Sequence, residues 1–252
     1  SSGVVGGEAW GARGTGAGRL GAVIGELYKG KYTLNAPNLV ALHIGRDYAD
    51  KNLDNAIGLK VERADGVGKR ILIEGNDAAA LGCVYGGATV AAWYPITPSS
   101  SLAEAFARQC RTYRKDESGD NRYAVIQAED ELASIGMVIG ASWNGARAFT
   151  CTSGPGISLM QEFIGLAYFA EIPAVIFDVQ RGGPCTCMPT LTQQADSLPC
   201  SYASHVDTKH VLLFPEAPAD RFDCAPYALD LAESLHARAV VILARDICMQ
   251  PR

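Results

Sequence analysis

Residues 94 to 101, Tyr-Pro-Ile-Thr-Pro-Ser-Ser-Ser, fix two φ angles with Pro95 and Pro98 and then offer hydroxyls where a helix can start. Such a turn can hold a carboxylate or a phosphate. The same pattern also suits a plain helix start, because Ser101 followed by Glu104 makes a capping box. Gln127-Ala128-Glu129-Asp130-Glu131 places three carboxyl groups after an apolar run. A carboxylate there can move a proton or simply offset a helix dipole. Arg181 follows another apolar run and precedes Gly182-Gly183-Pro184, where a guanidinium can meet a carboxylate in a two-pronged pair or remain a solvated charge. Thr152-Ser153-Gly154-Pro155-Gly156 puts small residues ahead of a helical run, so backbone N–H groups can lie open at its start, as an ordinary strand-to-helix turn also requires.

Other chemistries find less support. His43, His205, His210 and His236 are dispersed, and Ser153 lacks the flanks of a hydrolase nucleophile elbow. The eight cysteines form no CxxC pair, and Cys185 with Cys187 has no third or fourth ligand close by, so no metal or iron–sulfur site is expected on this chain. They read as reduced thiols of a cytoplasmic protein. Gly16-Ala17-Gly18-Arg19-Leu20-Gly21 matches the dinucleotide fingerprint formally, but the preceding residues make no convincing strand, and a chance match in a glycine-rich segment is the better reading. A formal charge of -5 without a basic block argues against nucleic acid. The longest uncharged stretch, Ala78 to Ala103, is broken by glycines and prolines and reads as a buried helix, a strand and a loop instead of a membrane span. The chain opens on Ser1 with no signal pattern and reads as a segment of a longer polypeptide.

These residues need elements that bring them together. With 252 residues, 48% of them hydrophobic, the chain can bury a full core. Residues 1–70 read as a glycine-rich segment with ten glycines in its first 30 positions, an uncertain helix over Leu20 to Tyr28, a helix over Asn38 to Leu53 and a charged loop. Residues 71–252 read as one α/β domain with a doubly wound, mostly parallel sheet. Helices are expected over Asp77–Thr89, Ser101–Thr112, Glu131–Trp143, Ile157–Ala170 and Ala219–His236. Strands are expected over Ala124–Gln127, Ala146–Cys151, Ala174–Val179, Val211–Phe214 and Val240–Ala244. In such a sheet the loops after Gln127, Cys151 and Val179 share a rim with the turn at Pro95 to Ser101, and ligands bind at that rim.

Taken together, the 94–101 turn, Gln127 to Glu131, Thr152 to Gly156 and Asp178-Val179-Gln180-Arg181-Gly182-Gly183-Pro184 resemble the α-subunit of the 2-oxoacid:ferredoxin oxidoreductases, in its 2-oxoglutarate branch. The resemblance covers residues 71 to 250, with Asn38 to Leu53 similar to the helix before this domain. It implies a domain similar to the pyrimidine-binding domain of transketolase-like enzymes. Glu131 is then the glutamate that bonds the aminopyrimidine of thiamine diphosphate, so that the exocyclic amine can remove the C2 proton. Glu129 and Asp130 compete for that role, but Glu131 lies five residues before Gly136, as the glutamate does in related enzymes. Arg181 is implied to bind the 2-oxoacid carboxylate with help from Thr97 and Thr190, and Ser153 and Gly154 to lie beside the cofactor. The implied reaction is oxidative decarboxylation of 2-oxoglutarate with coenzyme A to succinyl-CoA, its electrons passing to ferredoxin.

The chain also departs from that family. Cys185, Cys187 and Leu191 stand where relatives usually have Ser, Gly and a basic residue, in the substrate loop. Losing a glycine able to take a positive φ can shift the loop backbone, and losing the cation weakens attraction for a second carboxylate. The alternatives are therefore the same chemistry on pyruvate or another 2-oxoacid, or a silent paralogue serving as an assembly partner. The chain has no Gly-Asp-Gly followed by a distant Asn, the pattern that holds Mg²⁺ and the diphosphate in thiamine enzymes. The resemblance thus implies a β-subunit that carries the diphosphate, Mg²⁺ and the iron–sulfur cluster, in a heterodimer or a dimer of heterodimers. Family members continue into a further α/β domain after about Arg252.

Overall fold

The computed structural model describes residues 17–29, 31–53, 66–186, 188–191, 193–205, 207–235 and 239–243. The chain divides into two compact units, Ser1–Ile71 and Leu72–Arg252. In the first, α1 (Ala17–Leu27) and α2 (Tyr32–Asn52) are helices, and α2 begins earlier than the sequence indicates, carrying Pro37 within it. Gly16 and the residues before it, which complete the dinucleotide-like match, lie outside the described residues, as does most of the expected charged loop.

The second unit is a six-stranded sheet in the order β2-β1-β3-β4-β6-β5, with every neighbouring pair parallel. Its strands are β1 (Val90–Trp93), β2 (Ala124–Gln127), β3 (Ala148–Thr152), β4 (Val175–Val179), β5 (Val211–Leu213) and β6 (Ala239–Leu243). The helices are α3 (Gly75–Tyr85), α4 (Ser100–Tyr113), α5 (Glu131–Trp143), α6 (Gly154–Leu159), α7 (Gln161–Phe169), α8 (Ser197–Ser201) and α9 (Pro218–Ser234).

Parallel strands covered on both faces read as apolar runs, and the alternation within each run decides which core a side chain joins. Ala91, Trp93, Phe149, Cys151, Val175, Phe177 and Val179 point into a core shared with α3, α4 and α9. Ala92, Ala148 and Ile176 point to the opposite face, into a core with α5, α6, α7 and α8. Phe149 stands edge-on to both Phe106 and Phe177, with ring centroids 4.9 and 5.4 Å apart. The expected doubly wound sheet is therefore the observed one.

Three local features differ from the sequence reading. The helix expected over Ile157–Ala170 starts at Gly154, where Pro155 suits the first turn, and breaks at Met160, which is fully buried. The capping box of Ser101 with Glu104 does not form. Ser99 and Ser101 turn back to the carbonyls of Ile96 and Pro98, and Ser101 also accepts a 2.8 Å bond from Asn76 Nδ2. Cys185 is disulfide-bonded, which corrects the reading of every cysteine as reduced, while Cys83, Cys110, Cys151, Cys200 and Cys224 are free thiols. Cys185 is exposed on a loop, whereas four of the free five are buried and Cys224 is partly so.

Candidate active site

The strand order reverses between β1 and β3, so a crevice opens at the carboxyl ends of these two neighbours. The turn holding Thr97 follows β1, Glu131 follows β2, Ser153 and Gly154 follow β3, and Arg181 follows β4. One rim therefore carries all four segments. Asn76, in the first turn of α3, ties down the Thr97 turn by donating to Pro98 O at 3.0 Å as well as to Ser101 Oγ. The Thr97–Pro98 peptide is cis.

Of the three neighbouring carboxyl groups, Glu129 and Asp130 are exposed and Glu131 is buried, with 6% of its surface accessible. Asp130 is the N-cap of α5: its Oδ1 accepts from Ala133 N at 2.6 Å, and its carbonyl accepts from Ser134 Oγ at 2.8 Å. With the helix start satisfied by its neighbour, the Glu131 side chain is released from capping and turns inward. It lies against Thr152 and Gly156, where an added Cβ on Gly156 would stand 1.8 Å from Thr152 Oγ1 and 2.9 Å from Glu131 Cγ. Gly156 is thus required by close approach and not by its backbone angles. No hydrogen bond of the Glu131 carboxyl to another described residue is seen, so it is available to a ligand.

Arg181 is also buried, at 4% exposure, and its Nη1 donates to Thr97 O at 2.7 Å. This bond joins the loop after β4 to the turn after β1 across the intervening β3. The Thr97 side chain is exposed at the crevice. After Arg181 the chain doubles back: Gly182 pairs antiparallel with Met188 and donates to Leu191 O, and Gly183 N bonds Gln193 Oε1 at 3.2 Å. Thr190 is exposed on this returning loop, and no described bond ties it to Arg181. Cys187 lies outside the described residues.

Ser153 is the N-cap residue of α6, but its side chain makes no capping bond and its Oγ is buried without a partner. Gly154 is not open in the way the sequence led one to expect. The Asp196 carboxylate lies on it, so close that a Cβ there would be 2.3 Å from Asp196 Oδ1. Asp178 on β4 is fully buried, accepts from Cys200 Sγ at 3.7 Å and has no partner for Oδ1. Burial, and then the Asp196 charge, push the Asp178 carboxyl up to about 8. Asp196 is raised by burial against the pull of Arg181. Sequence reasoning assigned no role to Asp178, Gln180 or Asp196. The one available signal was an acid interrupting the apolar run Val-Ile-Phe-Asp-Val.

Residues 81–249 match the family described as pyruvate flavodoxin/ferredoxin oxidoreductase, thiamine diphosphate-binding. The chain belongs to this family. Among its relatives in the family, the 2-oxoglutarate synthase subunit KorA of Methanocaldococcus jannaschii is 43% identical over 175 residues, covering 69% of this chain and 45% of that protein. The 2-oxoglutarate oxidoreductase subunit KorA of Mycobacterium tuberculosis is 34% identical over 229 residues, covering 88% and 33%. A solved 2-oxoglutarate:ferredoxin oxidoreductase from Magnetococcus marinus, with 2-oxoglutarate, coenzyme A and succinyl-CoA bound, superposes with a TM-score of 0.78 at 34% identity. That match covers 95% of this chain and 41% of the solved one. The chain therefore spans less than half the length of these relatives. Among the described residues no helix is long and apolar enough to cross a membrane, and no group of three His, Cys, Asp or Glu residues is placed to hold a metal ion.

Proposed function

We propose that this chain supplies the thiamine-site half of a 2-oxoacid:ferredoxin oxidoreductase, as its α-subunit, and that its substrate is 2-oxoglutarate. The net reaction converts 2-oxoglutarate and coenzyme A to succinyl-CoA, CO2 and a proton, while two oxidised ferredoxins each take one electron. What supports this reading is that the buried Glu131 and the Arg181–Thr97 pair follow strands of one parallel sheet at its carboxyl rim. The identities to subunits named for 2-oxoglutarate, and the 2-oxoglutarate and succinyl-CoA bound to the Magnetococcus marinus enzyme, support the choice of substrate.

The residues present fit the aminopyrimidine of thiamine diphosphate. Glu131 is a buried residue with no competing bond to another described residue, and the lack of a side chain at Gly156 lets it settle beside Thr152. Bound thiamine diphosphate supplies a nucleophilic carbon for the keto group and an electron sink for loss of CO2. Glu131 holds a proton at the pyrimidine nitrogen, which lets the exocyclic amine exchange its own. Ser153 Oγ, buried without a partner, is placed in this reading at the polar edge of that ring, whereas Gly154, covered by the Asp196 carboxylate, contributes only through the turn it forms. Arg181, with the Thr97 and Thr190 hydroxyls, orients the substrate carboxylate through charge-assisted bonds. Mg²⁺, the diphosphate and the iron–sulfur cluster belong in this reading to a β-subunit, in a heterodimer or a dimer of heterodimers that passes electrons to ferredoxin. We place the complex in the cytoplasm, a reading that the five free thiols suit and the disulfide at Cys185 does not.

Glu131→Gln keeps the shape of the side chain and removes its acid–base function. Turnover in the assembled complex should fall by roughly 100-fold or more, with assembly itself unchanged on size-exclusion chromatography. Near-normal turnover in that variant would remove Glu131 from the mechanism.

A further inference from the structure

Five residues gather polar side chains at the carboxyl ends of β3 and β4: Ser153 Oγ, Arg181 Nε and Asp196 Oδ2 are buried without partners, beside the buried Asp178 and the Gln180 amide that lies near its carboxyl. Two of the five are acids. Asp178 shares the sheet face of Ile176, lies level with Thr152 of β3 in the strand register, and has one oxygen against Cys200. Asp196 reaches the same place from the start of α8, pressed onto Gly154, and feels the charge of Arg181. Two ionised carboxylates side by side away from water are costly, and one proton held between them removes most of that cost.

We propose that Asp178 and Asp196 form a carboxyl pair that keeps one proton, and that the pair's remaining charge sets how strongly Arg181 grips the 2-oxoacid carboxylate. The proposal rests on the reading of Arg181 given above. It makes Asp178 and Asp196 positioning residues, since they act through Arg181 without touching substrate. At neutral pH the proton resides on Asp178, whose carboxyl burial and then Asp196 raise to about 8, and Asp196 carries the charge that faces Arg181. The charged or titratable groups around Asp178 are Asp196 and Cys200 from the α8 segment and Arg181 from the loop after β4. Gln180 and Thr152 add only neutral groups, Glu131 lies beyond Thr152, and β6, Ala-Val-Val-Ile-Leu, brings none. Burial pushes the Cys200 thiol far upward, so it stays protonated throughout.

The sign follows from the charges. As pH rises through the Asp178 value the pair gains a second negative charge, more of the Arg181 field is cancelled, and the substrate carboxylate is held less well. Equilibrium binding of 2-oxoglutarate to the assembled complex freed of thiamine diphosphate isolates this effect from turnover. The wild-type dissociation constant should rise roughly tenfold between about pH 6 and about pH 9. Asp178→Asn should hold it flat, near the low-pH wild-type value, and Asp196→Asn should move the rise to lower pH. Infrared difference spectra at neutral pH should contain a protonated-carboxyl band that Asp178→Asn removes. An unchanged pH-dependent rise in Asp178→Asn, or no band lost, overturns the carboxyl pair while leaving Arg181 as the substrate ligand. Failure of 2-oxoglutarate to bind at any pH overturns the Arg181 reading and this proposal with it.

Discussion

A guanidinium that is 4% exposed has little water to carry its charge, so Arg181 depends on the groups around it. One donor goes to Thr97 O, Asp196 lies close enough to be pulled by its field, and Nε has no partner. Arg181→Ala should lower kcat/KM for 2-oxoglutarate by about 2–4 kcal/mol, roughly 30- to 1000-fold, as read from steady-state kinetics of the assembled complex. An unchanged kcat/KM would sink the carboxylate role. The positions of Glu131 and Arg181 at strand ends were legible in the sequence because each comes within a few residues after a short run, Ala124–Gln127 or Val175–Val179, that reads as a strand. Choosing Glu131 over Glu129 and Asp130 needed the family resemblance, and the structure adds a physical ground: Asp130 takes the cap, so the next side chain is free to turn inward. The return of Asp196 to this rim was not legible, because an irregular loop carries it back over Gly154 and no periodicity encodes such a return.

At the scale of elements, small residues decide how closely the helices lie. α3 reads Gly-Asn-Asp-Ala-Ala-Ala-Leu-Gly-Cys-Val-Tyr, and its Ala79, Ala80 and Cys83 are fully buried. Gly82 meets α9 so tightly that a Cβ would stand 2.3 Å from Phe222 O and 2.9 Å from Ala225 Cβ. The first of these is backbone, which cannot swing aside as a long side chain could. Gly82→Ala should therefore cost about 1–3 kcal/mol of stability, visible as a lower thermal midpoint, with Gly82→Val worse. A midpoint for Gly82→Ala within error of wild type would show that α3 and α9 can part without penalty. The five strands given bounds from the sequence came out within a residue or two because a strand in such a sheet is one short apolar run. β1 received no bounds, the helix before it being expected to run to Thr89 when it ends at Tyr85. Helix ends came out less closely. The break at Met160 and the serine bonds at the start of α4 depend on which carbonyls tertiary packing leaves in reach, and side-chain spacing does not report that.

At the scale of the molecule, Thr97, Glu131, Ser153, Gly154 and Arg181 follow strands at one rim of a single sheet, yet the chemistry proposed for that rim calls for more than the rim contains. The described residues offer a carboxyl for a pyrimidine ring and a guanidinium for a substrate, but no cluster of acids for Mg²⁺. If the ring is held here and the diphosphate by a β-subunit, neither chain alone can gather the full binding energy of the cofactor. Thiamine diphosphate with Mg²⁺, titrated calorimetrically, should then bind the assembled complex at least roughly 100-fold more tightly than this chain alone. Glu131→Gln should weaken binding to the complex, while the same substitution in the isolated chain should change little. Equal affinities for the chain and the complex would put the whole cofactor site on this chain. An assembled complex that takes up no cofactor would instead favour the silent paralogue, with the altered loop at Cys185 and Leu191 as its mark.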